Sequence, residues 1–339
     1  MTVLWATSEL TGINSAAAGG GAAIANGACR SGYARMGLSA TSNGLSATDP
    51  PTYRFQSLPF TAGNLVWVHA QVYESQTSPV ANAQVVRVLS PDGQARVLIR
   101  DTATFGVFKL STRTAAGVIT DVGSSFSAAL AGSAITALDI KIDYSASGGA
   151  TVWLGGTQVF TYTGDLRTDS ATQLNAVEFS NIAFSSVTNW AELIVADEDT
   201  RGWALWTLVP AASGNTQSWT PNTVGNINES NPSDATYVLT TTNNALSEWT
   251  VSSSVPSGTW EVKAFEQVAR VLVSPAGPQH FDWLVRTAST DYLAGTSIAP
   301  TGGFLNYNRM WPTNPNTGLA WAPTDFTAAG FNSGLKSLA

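Results

Sequence analysis

The chain has 339 residues, enough for two domains with a core each. Only 12% of residues are charged, about half the usual quarter, and the net charge is −7, with 11 basic and 15 acidic side chains in residues 1–206 and 5 and 8 in residues 207–339. That balance excludes a basic domain, and with it nucleic-acid binding through phosphate neutralisation. The single cysteine, Cys29, excludes an intrachain disulfide and a cysteine-built zinc site. Residues 1–5 lack a basic region followed by an apolar one, so no secretion signal is expected. No window reaches ~18 uninterrupted apolar residues, so no membrane insertion is expected.

In chain order, residues 3–5 read as a first strand, and the Gly/Ala-rich stretch 12–27 reads as a loop. Residues 53–60 (YRFQSLPF) alternate, whereas 65–73 (LVWVHAQVY) are apolar on both faces, the mark of a central strand. Strands are predicted over 84–89, 95–101 and 106–111, punctuated by the turn Pro91-Asp92-Gly93. The stretch 138–164 is the clearest signal. It has an alternating strand 138–144, a turn at 145–149, a strand 151–154, the tight Gly155-Gly156 turn and a third strand 158–162. Strands over 176–181 and 191–196 complete the first half, with no helical period before residue 205. Short strands at this spacing predict a sandwich or jelly roll.

Residues 201–221 change character, with three Trp and two Pro around a Ser/Gly/Asn loop. They divide the chain into a domain over 1–205, a Trp-rich junction over 206–221 and a second domain over 222–339. In the second half, 235–240, 246–251, 260–272, 282–287 and 303–306 are strand candidates. A short terminal helix is expected at 326–330, with Thr324 or Asp325 as N-cap and Gly330 at its C-terminal side.

Catalytic constellations are sparse. His69 falls in a strand, on the face of Leu65 and Trp67, and reads as a core or subunit-interface histidine; His280 falls in a loop. There is no GxSxG, no P-loop and no HExxH. Asp139 and Asp143 share a strand face ~13 Å apart, too far for a glycosidase carboxylate pair. Asp197-Glu198-Asp199 is the densest acidic cluster, so Asp197 and Asp199 are candidate calcium ligands against the simpler reading of a solvated turn. No other cofactor is implied. Asn228-Glu229-Ser230 fits a glycosylation sequon that, without a secretion signal, reads as chance. Trp153, Asp165 and Asn175 are carbohydrate-binding candidates, by ring stacking and hydroxyl hydrogen bonding. Trp203, Trp206, Trp219, Trp311 and Trp321 are interface candidates, because interfaces are rich in aromatics and poor in charge.

Residues 138–144, the hairpin 151–156, 158–162, and 177–181 with Asn189-Trp-Ala-Glu-Leu-Ile-Val-Ala-Asp197 resemble the concanavalin A-like/laminin-G-like jelly roll. Ala191 or Glu192 stands where that family usually has an Asp. The whole chain also resembles a two-part virion protein of tailed bacteriophages. Gly202-Trp203, Trp219 with 225–229, the closing 311–318, Trp321 and 330–336 carry that likeness.

The resemblances imply an all-β protein: an N-terminal concanavalin A-like jelly-roll sandwich, then a smaller C-terminal β-sandwich with a short terminal helix. They imply a non-enzymatic virion component of tail, baseplate, fibre or capsid surface, synthesised in the host cytoplasm. Its expected partners are other virion proteins and copies of itself, a trimer among the options. The alternative is an adhesin for host-surface glycans; a glycan-degrading enzyme ranks last.

Overall fold

The computed structural model describes residues 3–7, 13–17, 23–28, 36–41, 54–74, 81–104, 106–128, 135–180, 187–229, 233–252, 259–327 and 330–339. The chain divides into two compact units, Met1–Leu205 and Trp206–Ala339. Both are all-β among the described residues, except for single short helical turns in the second unit.

Among the described residues the first unit holds fifteen strands. They are β1 (Val3–Thr7), β2 (Ile13–Ala17), β3 (Ala23–Ala28), β4 (Met36–Thr41), β5 (Arg54–Ser57), β6 (Leu65–Glu74), β7 (Gln84–Leu89), β8 (Ala95–Asp101), β9 (Val107–Arg113), β10 (Ile119–Ser127), β11 (Thr136–Asp143), β12 (Gly149–Leu154), β13 (Thr157–Thr163), β14 (Ala176–Ser180) and β15 (Val187–Ala196). They form a jelly-roll sandwich of two antiparallel sheets. The eight-stranded sheet runs β13-β12-β11-β6-β15-β4-β3, with β1 also on β15. The seven-stranded sheet runs β10-β9-β8-β7-β14-β5-β2. The chain switches sheets after β1, β2, β4, β5, β6, β10, β13 and β14, so neighbours in space are distant in sequence.

Alternation decides what lies between the sheets. Val66, Val68, Ala70 and Val72 of β6 meet Leu138, Ile140 and Ile142 of β11 on one side. Val97, Ile99, Phe108, Leu110, Val177 and Phe179 line the other. Trp5, Phe55 and Trp190 fill the wide end, with Phe55 stacked on Phe179 at 5.4 Å and the Trp190 indole N–H bonded to the Ser180 carbonyl at 3.1 Å.

The meander read in 138–164 is present as β11, β12 and β13, in register from Leu138↔Leu154 and Gly149↔Thr163. Gly155 and Gly156 have φ of +54° and +79°, the two left-handed positions of a twist-matched hairpin turn. The loop expected over 12–27 is corrected: β2 and β3 lie within or across it and pair with β5 and β4. Their small side chains leave no hydrophobic alternation to read. Strand β10 also escaped the sequence reading, because its Ser- and Gly-rich segment is mostly exposed.

The second unit is the smaller β-sandwich. Strands β16 (Pro210–Gln217), β17 (Leu246–Val251), β18 (Phe265–Val271), β19 (His280–Thr287), β20 (Thr290–Leu293), β21 (Leu305–Trp311) and β22 (Asn332–Leu338) make a five-stranded sheet, β16-β17-β22-β19-β20, and the pair β18-β21. Between them lie Phe281, Trp283, Trp311, Trp321, Phe326 and Phe331. The strand expected over 235–240 reduces to an isolated bridge, Leu239 to Thr220. The stretch read as a junction carries β16. The terminal helix α1 is Pro323–Thr327, starting before the expected caps. Pro323 opens it, and Asp325 lies inside it, its carboxylate accepting from the Ala322 backbone N–H at 2.8 Å.

The β19–β20 hairpin turns on Ala288 and Ser289, with φ of +48° and +65°. Neither residue suits that conformation, which Asn and Gly adopt readily. Replacing them together (Ala288→Asn, Ser289→Gly) is expected to raise the stability of this unit by about 1 kcal/mol in a denaturant titration.

Candidate functional site

The outward face of the seven-stranded sheet gathers charge. Gln56, Glu178, Arg87, Leu98, Ser111 and Asp121 stand opposite one another across β5, β14, β7, β8, β9 and β10. Each alternates with a core residue, so the row lies on the far side of the sheet from the core, where its middle is nonetheless covered: Leu98 and Ser111 are 0% exposed. Arg100 and Lys109 form a second cross-strand pair beside it. With Arg54, Arg96 and Arg113 on the same face, six of the eleven basic residues of positions 1–206 share one side of one sheet.

Strand order explains how a charge-poor chain makes this face. Arg96, Leu98 and Arg100 alternate with Val97 and Ile99 on β8, and Lys109 and Ser111 alternate with Phe108 and Leu110 on β9. Packing of one set into the core turns the other to the far side of the sheet, where β8 is still buried along its whole length.

The cations are held in place. Glu178, 4% exposed, accepts from Arg54 Nε at 3.2 Å and from Arg87. Asp121 accepts from Lys109 Nζ at 2.8 Å, Ser111 Oγ at 2.7 Å and Arg100. Arg96, 2% exposed, donates to Ser90 Oγ at 2.8 Å, Asp169 at 2.8 Å and Asp92 at 2.6 Å. Arg113 donates to the Gln94 side-chain oxygen at 3.2 Å. Among the described residues, six cations (Arg54, Arg87, Arg96, Arg100, Lys109, Arg113) and four carboxylates (Glu178, Asp121, Asp92, Asp169) thus meet on this face.

Burial raises the pKa of Asp121, but hydrogen bonds from Lys109, Ser111 and Arg100 and the Arg100 charge outweigh it and pull the group down to about 2. A carboxyl with a depressed folded pKa contributes stability that is present above its ordinary value of 3.8 and is lost as the pH falls through about 2. Asp121→Asn is therefore expected to lower the thermal midpoint at neutral pH and to flatten its fall between pH 4 and 2. The effect is small, because the Asp121 side chain is 46% exposed. Melting curves across that pH range check it.

Part of the outward face of the other sheet is covered by its own chain. Residues 197–205, which follow β15, lie back across it. The Thr200 hydroxyl reaches Asp139 at 3.3 Å, the Leu205 N–H reaches Glu192 at 3.2 Å, and Arg201 lies 4.6 Å over the Trp153 ring. Under this strap Asp139 holds His69 Nδ1 at 2.8 Å, with both residues 1% exposed. Asp143 instead accepts from the Ser145 N–H at 3.2 Å. The two carboxylates singled out on one strand thus serve separate local bonds.

The candidates from sequence do not converge. Trp153 is 8% exposed, stacked on Trp67 at 5.2 Å beneath Arg201, so its ring offers no free platform. Asp165 is bound by Arg167 through both carboxylate oxygens. Asn175 takes part through its backbone, donating to the Leu89 carbonyl at 2.8 Å and accepting from the Phe60 N–H at 2.9 Å. Among the interface candidates, Trp311 and Trp321 are core residues at 6% and 3% exposure, a correction that follows from their packing against Phe265, Phe326 and Phe331. Trp206 meets Trp260 edge-on at 5.6 Å, the Trp219 indole N–H donates to the Ala245 carbonyl at 3.1 Å, and Trp203 is half-buried. Asp199 is ion-paired to Arg201, and no cluster of three His, Cys, Asp or Glu able to hold a metal occurs among the described residues, Asp197 included. Cys29 and Ser230 lie outside the described residues.

No family model and no curated protein matches the chain. Among solved structures, the fold is similar to an endo-β-1,4-glucuronan lyase from the fungus Trichoderma reesei, at 11% identity and TM-score 0.44 over 57% of this chain and 95% of that one. It is also similar to an alginate lyase, at 13% identity and TM-score 0.35 over 57% and 97% of the two chains. The globular domain of T. cruzi calreticulin matches at 9% identity and TM-score 0.39 over 59% and 90%. The expectation of a non-enzymatic virion component is corrected by this finding, since the structures matched include polysaccharide lyases and the ones named here include no virion protein. At these identities the likeness is one of fold: an all-β, lectin-like jelly roll.

Proposed function

We propose that the first unit binds a carboxylated polysaccharide on the outward face of its seven-stranded sheet. The observation that carries this reading is the row of fixed guanidinium and ammonium groups across β5, β7, β8 and β9, of which Arg54 and Lys109 reach solvent. Guanidinium forks match the plane of a carboxylate and hold it through two parallel hydrogen bonds. Arg54 and Lys109, with side chains 27% and 23% exposed, keep part of their surface for a ligand, while buried Arg87 and Arg100 hold the field around them. Half-buried Gln56 adds a neutral amide able to meet hydroxyls.

Isothermal titration of the full chain with oligomers of glucuronate and of alginate, against a neutral glucan of equal length, tests the reading. The expected result is binding of a uronate oligomer that weakens with salt and falls at least about tenfold in the pair Arg54→Ala, Lys109→Ala. Equal binding of neutral and acidic oligomers, or none of either, overturns it. Following the same mixtures by ultraviolet absorbance of an unsaturated uronate separates binding from chain cleavage by elimination.

A further inference from the structure

We infer that the second unit carries a separate platform for a neutral sugar, built from Tyr237, Phe304, Arg270 and Asp234. The aromatic side chains at the centre of this unit are packed away: Phe281, Trp283, Trp311, Trp321, Phe326 and Phe331 are all buried. Tyr237 is the contrast, 44% exposed, with its ring centroid 6.1 Å from that of Phe304 and the planes inclined at 49°, an open V rather than a closed stack. Leu239 and Leu305 flank it at 43% and 47% exposure. The Asn226 side-chain N–H₂ holds the Tyr237 carbonyl at 3.1 Å and anchors the segment that presents the ring.

The polar half is equally organised. Arg270, on β18, lies 5.7 Å over the Phe304 ring. Its Nε and Nη2 fork onto the two oxygens of Asp234 at 2.7 and 2.8 Å, and its Nη1 reaches the Asn306 side-chain oxygen at 3.4 Å. Arg270 and Asp234 cancel each other's charge, so neither is a free ion for a charged ligand. What remains is an apolar ring face beside fixed planar donors and acceptors. That combination suits a pyranose, whose C–H face lies on an aromatic ring while its edge hydroxyls meet a carboxylate, an amide and a guanidinium. The site uses different residues on a different unit from the carboxylate-binding face, and it stands whether or not that face binds uronates.

The test is titration of the full chain with cellohexaose, maltohexaose and a β-1,3-glucan hexamer, by calorimetry and by saturation-transfer NMR. At least one is expected to bind, with its C–H protons saturated from aromatic resonances. Tyr237→Ala is expected to weaken that binding at least about tenfold, Tyr237→Phe to preserve it within about threefold, and Arg270→Met to weaken it by a similar factor to Tyr237→Ala. The pair Arg54→Ala, Lys109→Ala is expected to leave it unchanged. An unaltered melting curve for Tyr237→Ala, whose ring is half exposed, excludes misfolding as the cause. Failure of all three sugars to bind at millimolar concentration overturns the inference, as does binding that survives both Tyr237→Ala and Arg270→Met. A drop in oligomeric state in Tyr237→Ala, without any sugar binding by the parent chain, also overturns it and assigns the patch to self-association.

Discussion

Removing the Glu178 carboxylate is expected to destabilise the first unit by about 3 kcal/mol, because two guanidinium groups converge on it and one of them, Arg87, is itself 6% exposed. For a unit of this size that is a fall of roughly 6–12 °C in melting temperature. The mechanism makes a second outcome specific. In Glu178→Ala the loss comes mostly from the desolvated Arg87 guanidinium losing this carboxylate, rather than from the net worth of the pair. The double replacement Glu178→Leu, Arg87→Met removes both charges and is expected to recover more than half of the lost stability. Chemical denaturation of the parent chain, the single variant and the double variant measures both. A single variant within about 1 kcal/mol of the parent shows that this charge row is solvated, and removes the basis for a preorganised binding face.

Gly149→Ala is expected to cost at least about 3 kcal/mol and to disrupt the β11–β12–β13 meander. Gly149 has φ +143°, a conformation that side chains rarely adopt, and a Cβ there would collide with the carbonyl group of Tyr162 and crowd Thr163 on the neighbouring strand. The contrast is Gly156→Ala in the adjacent hairpin, where φ is +79° but nothing lies within 4 Å of the added Cβ. There only the backbone term applies, about 1–2 kcal/mol. Thermal melts of the two variants separate strain from collision, and equal losses contradict the account.

The two sites differ in how legible they were. The meander, the Pro91-Asp92-Gly93 turn and the doubly apolar β6 announce themselves, because turn chemistry and period-2 burial are local properties. Strands β2, β3 and β10 do not, since Ala, Ser and Gly side chains carry little hydrophobic contrast. The all-β, two-sandwich architecture was readable from strand density and the two resemblances. The charged face was half visible. Arg96 and Arg100 sit two and two from Leu98 on β8, which marks a polar outer face, but Arg87 and Glu178 are 91 residues apart and meet only once β14 is known to pair with β7. Trp153 and Trp321 were misleading for a related reason. Trp is attractive as a sugar platform or an interface anchor, yet the same area makes it a core or strap-covered residue, and only packing tells these apart. The Tyr237 platform was not singled out, because its polar partners come from residues 234, 270 and 306.

The pairing of β1 with β15, Val3 opposite Ala196 and Thr7 opposite Leu193, sets a clock on biosynthesis. At ordinary translation rates of roughly 5–20 residues per second, the first strand leaves the ribosome about 10–40 s before its partner exists. From the moment β6 has been made until β15 follows, the β6 edge that β15 will occupy is open, with unmet N–H and carbonyl groups beside buried-type valines. Slowing translation between β6 and β15 is therefore expected to lengthen this exposure rather than help the sandwich to close.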